Sequence, residues 1–506
     1  MILAIDEGTT GITCLVIDRD GRTRGRAYSE ITQFYPRPGW VEHDAMEIWL
    51  TTCRLASEAA ATAGVELDSL AAVGITNQRE TVVLWDRETG DPVHHALVWQ
   101  DRRTADTCAT LKAAGHERQI RDRTGLVVDP YFSATKIAWI LDNNPDLRRR
   151  AEAGELAAGT MDSWLVWKMT KGGSHLTDPT NASRTLLFNL DSREWDASLL
   201  DLFGVPAALL PSVRPSSEVY ANSVGRAFGA EIPIAGIAGD QQAALFGQGC
   251  WAPGSGKNTY GTGAFLLLNT GEKRIASEAG LLTTAACGPR GEYVYALEGS
   301  VFVAGAAVQW LRDALGVIHT AAETEALARS LNSNADVYFV PAFTGLGAPH
   351  WDPHARGTIL GLTRGTGTAH LARAALEAVA FSTHDVVRAM EADYGLPIHE
   401  LRVDGGQSAN NWLMQFQADL LGIPVRRPAI TETTAYGAAG LAGLASGFWK
   451  TPEEFLSARE ESAVFEPGAG GSSSAELLAG WNRAVRTARF WSENRSPSPV
   501  EQGGKQ

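Results

Sequence analysis

The stretch Ala235-Gly-Ile-Ala-Gly-Asp-Gln-Gln-Ala-Ala244 sets a carboxylate and an amide where an apolar strand stops and an alanine-rich helix begins. Asp240 can be a plain N-cap there, or a carboxylate facing a cleft that accepts a proton from a hydroxyl nucleophile; Gln241 beside it can fix another hydroxyl. Asn77-Gln-Arg-Glu-Thr81 also follows an apolar strand. Arg79 and Glu80 offer a fork of donors and an acceptor, the pairing that holds vicinal hydroxyls, although a solvated surface pair uses the same two residues. Two Gly/Thr turns, Asp6-Glu-Gly-Thr-Thr-Gly11 and Tyr260-Gly-Thr-Gly263, recur in the two halves. Their glycines fold the backbone tightly, and their N–H groups and threonine hydroxyls can hold phosphate oxygens. Asp6, at a strand end, can hold Mg²⁺ directly or through water. An ordinary hairpin turn needs the same Gly and Asp. In Val403-Asp-Gly-Gly-Gln-Ser-Ala-Asn-Asn411 a Gly pair leaves room for a base or phosphate against the backbone, Asn410 can hydrogen-bond it, and Ser408 is the expected helix N-cap. Trp99, beside a hairpin end, can wall a small substrate.

Positioning these groups takes strands that end at turns and helices that follow. Ile2–Ile5 and Thr13–Ile17 read as a hairpin around the first turn, and Thr81–Trp85 with Val93–Trp99 as another. Asn258–Tyr260, the second Gly/Thr turn and Phe265–Leu268 repeat the opening. This weak internal repeat predicts two related halves with a boundary near residues 248–257. Helical spacing marks Met46–Thr62, Ala304–Leu315, His370–Asp393, Ser408–Leu421 and Tyr436–Phe448, with strands at Val337–Val340 and Leu401–Val403. The alternation argues an α/β architecture. Gly468–Ser474 reads as a flexible loop and Ser496–Gln506 as a disordered tail.

Composition narrows the classes of function. Lys+Arg 44 against Asp+Glu 58 leaves a net charge of −14, which argues against nucleic acid or an anionic membrane as partner. The five cysteines, Cys14, Cys53, Cys108, Cys250 and Cys287, form no C-x-x-C, so neither a disulfide framework nor a Cys zinc site is expected. MILAIDEGTT lacks a signal-peptide pattern, and no apolar run approaches the ~20 residues that span a bilayer. The reading is a reduced, soluble, cytoplasmic protein. The eleven histidines make no H-x-x-x-H, and neither a P-loop nor a G-x-S-x-G motif occurs. The fifteen Trp are expected in the core and between domains.

The chain resembles the FGGY carbohydrate kinases of the actin/hexokinase/Hsp70 ATPase superfamily from about Leu3 to Trp491. The stretches that carry the resemblance include Ala4–Thr10, Tyr35–Asp44, Gly74–Thr81, Asp129–Lys136, Gly236–Gln242, Asn258–Gly263, Phe343–Gly357 and Val403–Gly406, with the family signatures at Tyr131–Asn143 and Gly357–Glu377. Asn-Gln-Arg-Glu-Thr and Gly-Asp-Gln-Gln are the pieces of members that phosphorylate glycerol. The resemblance implies two actin-like (ribonuclease H-like) α/β domains, 1–248 with the glycerol site and 249–495 with the nucleotide site. Mixed sheets flanked by helices would face an active site in the interdomain cleft. It implies that Arg79, Glu80, Tyr131, Asp240 and Gln241 bind glycerol hydroxyls, that Trp99 and Phe265 pack on its carbons, and that Asp240 is the general base. Thr9, Thr10, Gly11, Thr262, Gly305, Gln309, Gly406 and Asn410 would hold ATP, and Asp6 would organise Mg²⁺. A homodimer or homotetramer is implied. The rival readings are a kinase for another polyol or sugar, such as a pentulose, and a non-catalytic actin-like nucleotide-binding regulator. This sequence departs from the family at Glu7, expected to add negative charge near the phosphates, and at Thr13, which replaces an Arg. The family's fructose bisphosphate loop here reads Gly225–Ile232 with Glu231 in place of an Arg, and Ser217–Glu231 holds no His for phosphorylation. Neither control is expected.

Overall fold

The computed structural model describes residues 1–430, 432–457, 461–468 and 471–493. Ile2–Glu7 (β1) and Gly11–Ile17 (β2) form the expected hairpin, and Thr23–Glu30 (β3) adds beyond β2. Ala72–Asn77 (β4) runs parallel to β1 on its other side. Ser217–Asn222 (β5) and Pro233–Gly239 (β6) are antiparallel to each other, and β6 runs parallel to β4. The first sheet therefore has the order β5-β6-β4-β1-β2-β3.

In the second half Gly256–Tyr260 (β7) and Ala264–Gly271 (β8) form another hairpin. Leu282–Cys287 (β9) pairs with Tyr293–Val301 (β10), which pairs with β8. Leu401–Asp404 (β11) runs parallel to β7, Val425–Pro428 (β12) parallel to β11, and Glu461–Phe465 (β13) antiparallel to β12. The order is β9-β10-β8-β7-β11-β12-β13. Leaving out the extra edge strand β9, both sheets show one sequence of pairings: antiparallel, antiparallel, parallel, parallel, antiparallel. The two hairpins legible in the sequence are the visible part of a repeated topology.

The helices that matter here are α1 (Ala45–Thr62), α2 (Asp240–Gly247), α3 (Gly305–Asp313), α4 (Thr368–Tyr394), α5 (Asn411–Leu421), α6 (Thr433–Ala445) and α7 (Gly471–Glu493). Strand β1 is apolar without alternation because helices cover both of its faces. Leu3 and Ile5 join the core under α1, whereas Ile2 and Ala4 join a second core with Ala435, Ala439 and Ala442 of α6. Helix α6 belongs to the second half of the chain but lies against β1, β4, β6 and α2. Its small residues permit that approach: a Cβ on Gly437 would lie 1.8 Å from the Ala243 carbonyl oxygen of α2. On the second sheet, Leu266, Leu268, Leu297 and Val403 pack with Phe381 and Met390 of α4 and Leu413 of α5.

Three expectations are corrected. Gly468–Ser474 is not a loop throughout, because α7 begins at Gly471; Ala469 and Gly470 lie outside the described residues. Apolar residues further along, Trp481, Val485 and Ala488, dock α7 on the second core, and the Gly/Ser run occupies the first turn, whose N–H groups have no intrahelical partners in any helix. Ser408 is not the cap of α5. A short 3₁₀ turn, Gly406–Ala409, intervenes, and Asn410 caps the helix. Trp85, Trp164, Trp449 and Trp481 are fully buried, but Trp491 is exposed. The tail Ser496–Gln506 lies outside the described residues. All five cysteines are free, and among the described residues no helix is long and apolar enough to cross a membrane.

Candidate active site

The carboxyl ends of β1, β4, β6, β7 and β11 lead directly into the segments singled out above, as the parallel arrangement requires. Strand β4 ends at Asn77, and the chain then makes a three-residue turn in which the Thr81 N–H donates to the Arg79 carbonyl. Glu80, at its centre, has φ 62°, a costly conformation for a non-glycine residue and one that clusters at functional sites. Neighbours on a strand face opposite ways; the turn brings both side chains to one place, with Arg79 Nε 4.0 Å from Glu80 Oε1.

Arg79 and Glu80 are fully buried, so the surface-pair reading fails. They are also not a free fork. Arg79 is held by Glu298 of β10 through Nη1 (2.5 Å) and Nη2 (3.0 Å), and Nη1 also donates to Gln242 Oε1 at 3.2 Å. Arg79 Nε lies 3.1 Å from Asp240 Oδ1. Glu80 Oε1 accepts from Arg184 Nε at 2.6 Å, and Arg184 Nη2 reaches Glu298 Oε1 at 3.1 Å. Guanidinium has five donors and carboxylate two oxygens, so these bonds leave one Nη2 hydrogen of Arg79 and one oxygen of Glu80 for a ligand. Burial alone would raise the Glu298 carboxyl; Arg184 and Arg79 overcome it and hold it at about 2. Arg184 lies over the rings of Tyr131 and Phe132, 5.5 and 5.3 Å from their centroids. Tyr131 meets Trp99 edge-on at 5.5 Å, and Trp99 meets Phe265 of β8 at 6.3 Å. These three rings wall the charged cluster.

Asp240 is the first residue of α2, with Gly239 as the N-cap, so the plain-cap reading is excluded. Its Oδ1 takes the Gln241 backbone N–H (2.7 Å) and its Oδ2 the Gln241 amide (3.1 Å). The Asp240 side chain is 30% exposed where Arg79 is 2% and Glu80 1%. It is the acidic group of the cluster that opens to the cleft. Lys257 of β7, fully buried, donates to Gln241 Oε1 at 2.5 Å. Three cations (Arg79, Arg184, Lys257) and three carboxylates (Glu80, Asp240, Glu298) thus balance.

The first Gly/Thr turn closes through Gly8 N–H to the Gly11 carbonyl at 3.0 Å. Thr10 is exposed and Thr9 half-buried. Trp99 Nε1 donates to Thr9 Oγ1 at 2.8 Å, joining the aromatic wall to the turn. Gly11 opens β2, where a Cβ would lie 2.6 Å from the Ser29 carbonyl oxygen. Asp6 faces the α6 side of β1 and has no cation partner among the described residues. Burial, then the charges of Asp240 and Glu432, push its carboxyl up to about 7. A half-buried carboxylate in that state fits a divalent cation, which would hold it ionised. Glu7 is turned the other way and does not face the phosphate turn as expected. It is fully buried on the α1 side, accepts from Gln78 Nε2 at 2.8 Å, and burial drives its carboxyl well above the usual range.

The second turn is fastened to α3: Gly305 N–H donates to the Gly261 carbonyl, and the Ala304 and Ala306 N–H groups to that of Thr262. Thr262 and Gln309 are exposed. Gly405, with φ 81°, lies where a Cβ would stand 2.4 Å from the Tyr260 carbonyl oxygen, whereas a Cβ on Gly406 would meet nothing within 4 Å. Asn410 is occupied by capping: its Oδ1 accepts from Leu413 N–H at 3.0 Å and its Nδ2 donates to Thr324 at 3.3 Å. The amide of Gln407 beside this wall is buried with neither polar atom paired among the described residues.

Sequence reasoning missed Arg184, Lys257, Glu298 and Gln242. For Glu298 the available signal was a charge inside an otherwise apolar strand, Tyr293-Val-Tyr-Ala-Leu-Glu298; a strand covered on both faces holds such a charge only when it is paired. Arg184, in a turn, and Gln242, within α2, carried no such signal.

Two actin-like halves with a charged cup facing two Gly/Thr turns make the fold of the two-domain carbohydrate kinases. The chain belongs to the FGGY family of carbohydrate kinases: the profile of the family's N-terminal domain matches residues 1–247 and that of its C-terminal domain residues 256–446. It is 58% identical over 494 residues to a glycerol kinase of Trichlorobacter lovleyi, covering 97% of this chain and 99% of the relative. It is 55% identical to a glycerol kinase of Petrotoga mobilis, covering 98% and 99%. The crystal structure of Plasmodium falciparum glycerol kinase with ADP is similar with a TM-score of 0.90 at 35% identity, covering 96% of this chain and 98% of that one. The xylulose kinase of Lactobacillus acidophilus, with a TM-score of 0.86 at 20% identity, shares the fold.

Proposed function

We propose that this chain phosphorylates glycerol with MgATP, giving sn-glycerol 3-phosphate and ADP, as the first step of glycerol catabolism. The observation that carries the reading is Asp240: the open carboxylate of a closed, charge-balanced cup, at the end of a strand between two turns able to hold phosphates. Arg79, Glu80, Tyr131, Asp240 and Gln241 bind the hydroxyls, and Trp99 and Phe265 pack on the carbons. A substrate without the matching hydroxyl leaves a buried charged group unpaired, which selects glycerol. Thr9, Thr10, Gly11, Thr262, Gly305, Gln309, Gly406 and Asn410 line the ATP site, with Asn410 acting through its cap. Asp6 holds Mg²⁺, which neutralises phosphate charge when bound.

In the transfer, the primary hydroxyl oxygen of glycerol forms a bond to the γ-phosphorus as the bond from that phosphorus to the β–γ bridging oxygen breaks, leaving ADP. The hydroxyl proton passes to Asp240. Its Oδ2 is the acceptor, because Oδ1 is already held by Arg79 and the Gln241 N–H. Phosphoryl transfer has a loose transition state, so positioning and charge neutralisation do most of the work. The protein acts in the cytoplasm, as a homodimer or homotetramer.

The test is ADP release from MgATP with glycerol, xylulose, gluconate and no acceptor run in parallel. Glycerol alone should support turnover, and Asp240→Asn should lower kcat by about 10³-fold while ADP still binds. Turnover only with xylulose would replace glycerol by a pentulose, and no acceptor-dependent turnover would favour a non-catalytic regulator.

A further inference from the structure

Lys257 has no part in the chemistry set out above, yet it is fully buried. All three of its N–H donors are used: on Gln241 Oε1 at 2.5 Å, Thr259 Oγ1 at 2.7 Å and the Phe265 carbonyl at 3.3 Å. None of these acceptors is a carboxylate. A buried ammonium satisfied only by neutral oxygens is costly, and burial pushes it down to about 8 against the opposing carboxylates of Asp404 and Asp240. A methionine would fill the same space without that cost. The ammonium therefore has to be explained by what it holds.

What it holds is one orientation of the Gln241 amide. An amide side chain can turn over, exchanging its oxygen and nitrogen at almost no steric cost. An ammonium group has donors and no acceptor, so only Oε1 can face Lys257. That fixes Nε2 toward Asp240, where it lies 3.1 Å from Oδ2. If the amide turned over, its oxygen would face the carboxylate oxygen that takes the substrate proton, and two acceptors would repel. We propose that Lys257 is a positioning residue: acting only through Gln241, it keeps a donor against Asp240 Oδ2 and so sets the geometry of the base. Lys257 stands on β7 of the second half while Asp240 begins α2 after the last strand of the first sheet. The chain Lys257–Gln241–Asp240 thus makes the base depend on the seating of the second sheet. This inference rests on the proposed glycerol kinase reaction.

A double-mutant cycle tests it. Lys257→Met, Gln241→Ala and the double variant are compared with the unmutated protein for kcat and KM with glycerol, together with ADP affinity and melting temperature. Lys257→Met should lower kcat by up to about 10²-fold, the scale of a small misplacement of a reacting group, with ADP affinity unchanged. In the Gln241→Ala background the same substitution should change kcat less than about 2-fold, since its only route of action is gone. Equal losses in both backgrounds would overturn the proposal, because a general packing role is additive. If the methionine variant does not fold, Lys257→Gln, shorter but still a donor, enters the same cycle. Absence of glycerol turnover in the unmutated protein would overturn the reaction itself, and it is read before any variant is compared.

Discussion

The proposed glycerol cup and the proposed nucleotide wall are built on opposite plans. The cup consists of side-chain charges, buried and largely committed to one another through the hydrogen bonds that join Arg79, Glu80, Arg184 and Glu298; Arg79 keeps one Nη2 hydrogen and Glu80 one oxygen, and Arg184 Nη1 has no partner among the described residues. The wall consists of backbone and small residues: the turn at Gly261–Gly263, tied to α3 by main-chain hydrogen bonds, and the turn at Gly405–Gly406, whose Gly405 carbonyl accepts from the Ser408 N–H. The difference matches what each has to recognise. A three-carbon polyol has only hydroxyls to distinguish it, so discrimination needs buried groups that suffer when a hydroxyl is missing. Phosphates need several N–H donors, which a folded-back main chain supplies without side chains. The cup should therefore fail through stability and substrate affinity together, and the wall through nucleotide affinity alone.

The strongest break of that contrast is Glu298→Gln. It keeps the shape but leaves Arg79 and Arg184 buried with one carboxylate too few. Removing one partner of a buried ion pair costs about 3–5 kcal/mol. We expect a large fall in urea midpoint and at least a 10²-fold rise in KM for glycerol, with ADP affinity unchanged once glycerol-free protein is assayed. A variant as stable as its parent would mean that the cluster is held by packing and that its charges are dispensable.

Two neighbouring glycines sharpen the other side. Gly405→Ala combines positive φ with a contact at 2.4 Å to the Tyr260 carbonyl; the strain alone is worth roughly 1–3 kcal/mol. Gly406→Ala places a methyl in open space, so stability should stay within about 0.5 kcal/mol of the parent while KM for ATP rises and KM for glycerol does not. If Gly406→Ala left KM for ATP untouched, the open flank would not be a nucleotide surface.

Much of this was legible in the sequence. Period and punctuation found the hairpins of β1–β2 and β7–β8, α1, α3 and α4, and the end of β6 at Gly239-Asp240. These are signals carried by neighbouring residues. Capping was misjudged at Ser408 because Gly406–Ala409 forms a 3₁₀ turn first, and the cap then falls to Asn410. The partners of Arg79 were not legible. Glu298 lies 219 positions away and Arg184 lies 114 positions from Glu298, and a local pattern that marks a strand charge as paired does not name its partner. The repeat was visible only as two similar turns, because pairing order is preserved where sequence is not. Glu7 was placed on the wrong side because the turn was read as a loop with every residue near the phosphates. It is still part of β1, where alternation sends Asp6 toward α6 and Glu7 toward α1.

That last point gives the smallest expected effect. If Glu7 stood beside the phosphates, Glu7→Gln would remove a repulsive charge and lower KM for ATP severalfold. Buried on the α1 side, it should change KM for ATP by less than about 2-fold. Its signature is in stability against pH. A carboxyl whose folded pKa is raised binds a proton in the native state that the unfolded chain has released, so stability falls as pH rises above the unfolded value and levels off only above the folded one. Glu7→Gln deletes that dependence. The variant should therefore gain on the parent steadily as pH is raised from about 4 toward neutrality, read as a growing difference in urea midpoint. A constant difference across that range, together with a lowered KM for ATP, would return Glu7 to the phosphate side of β1.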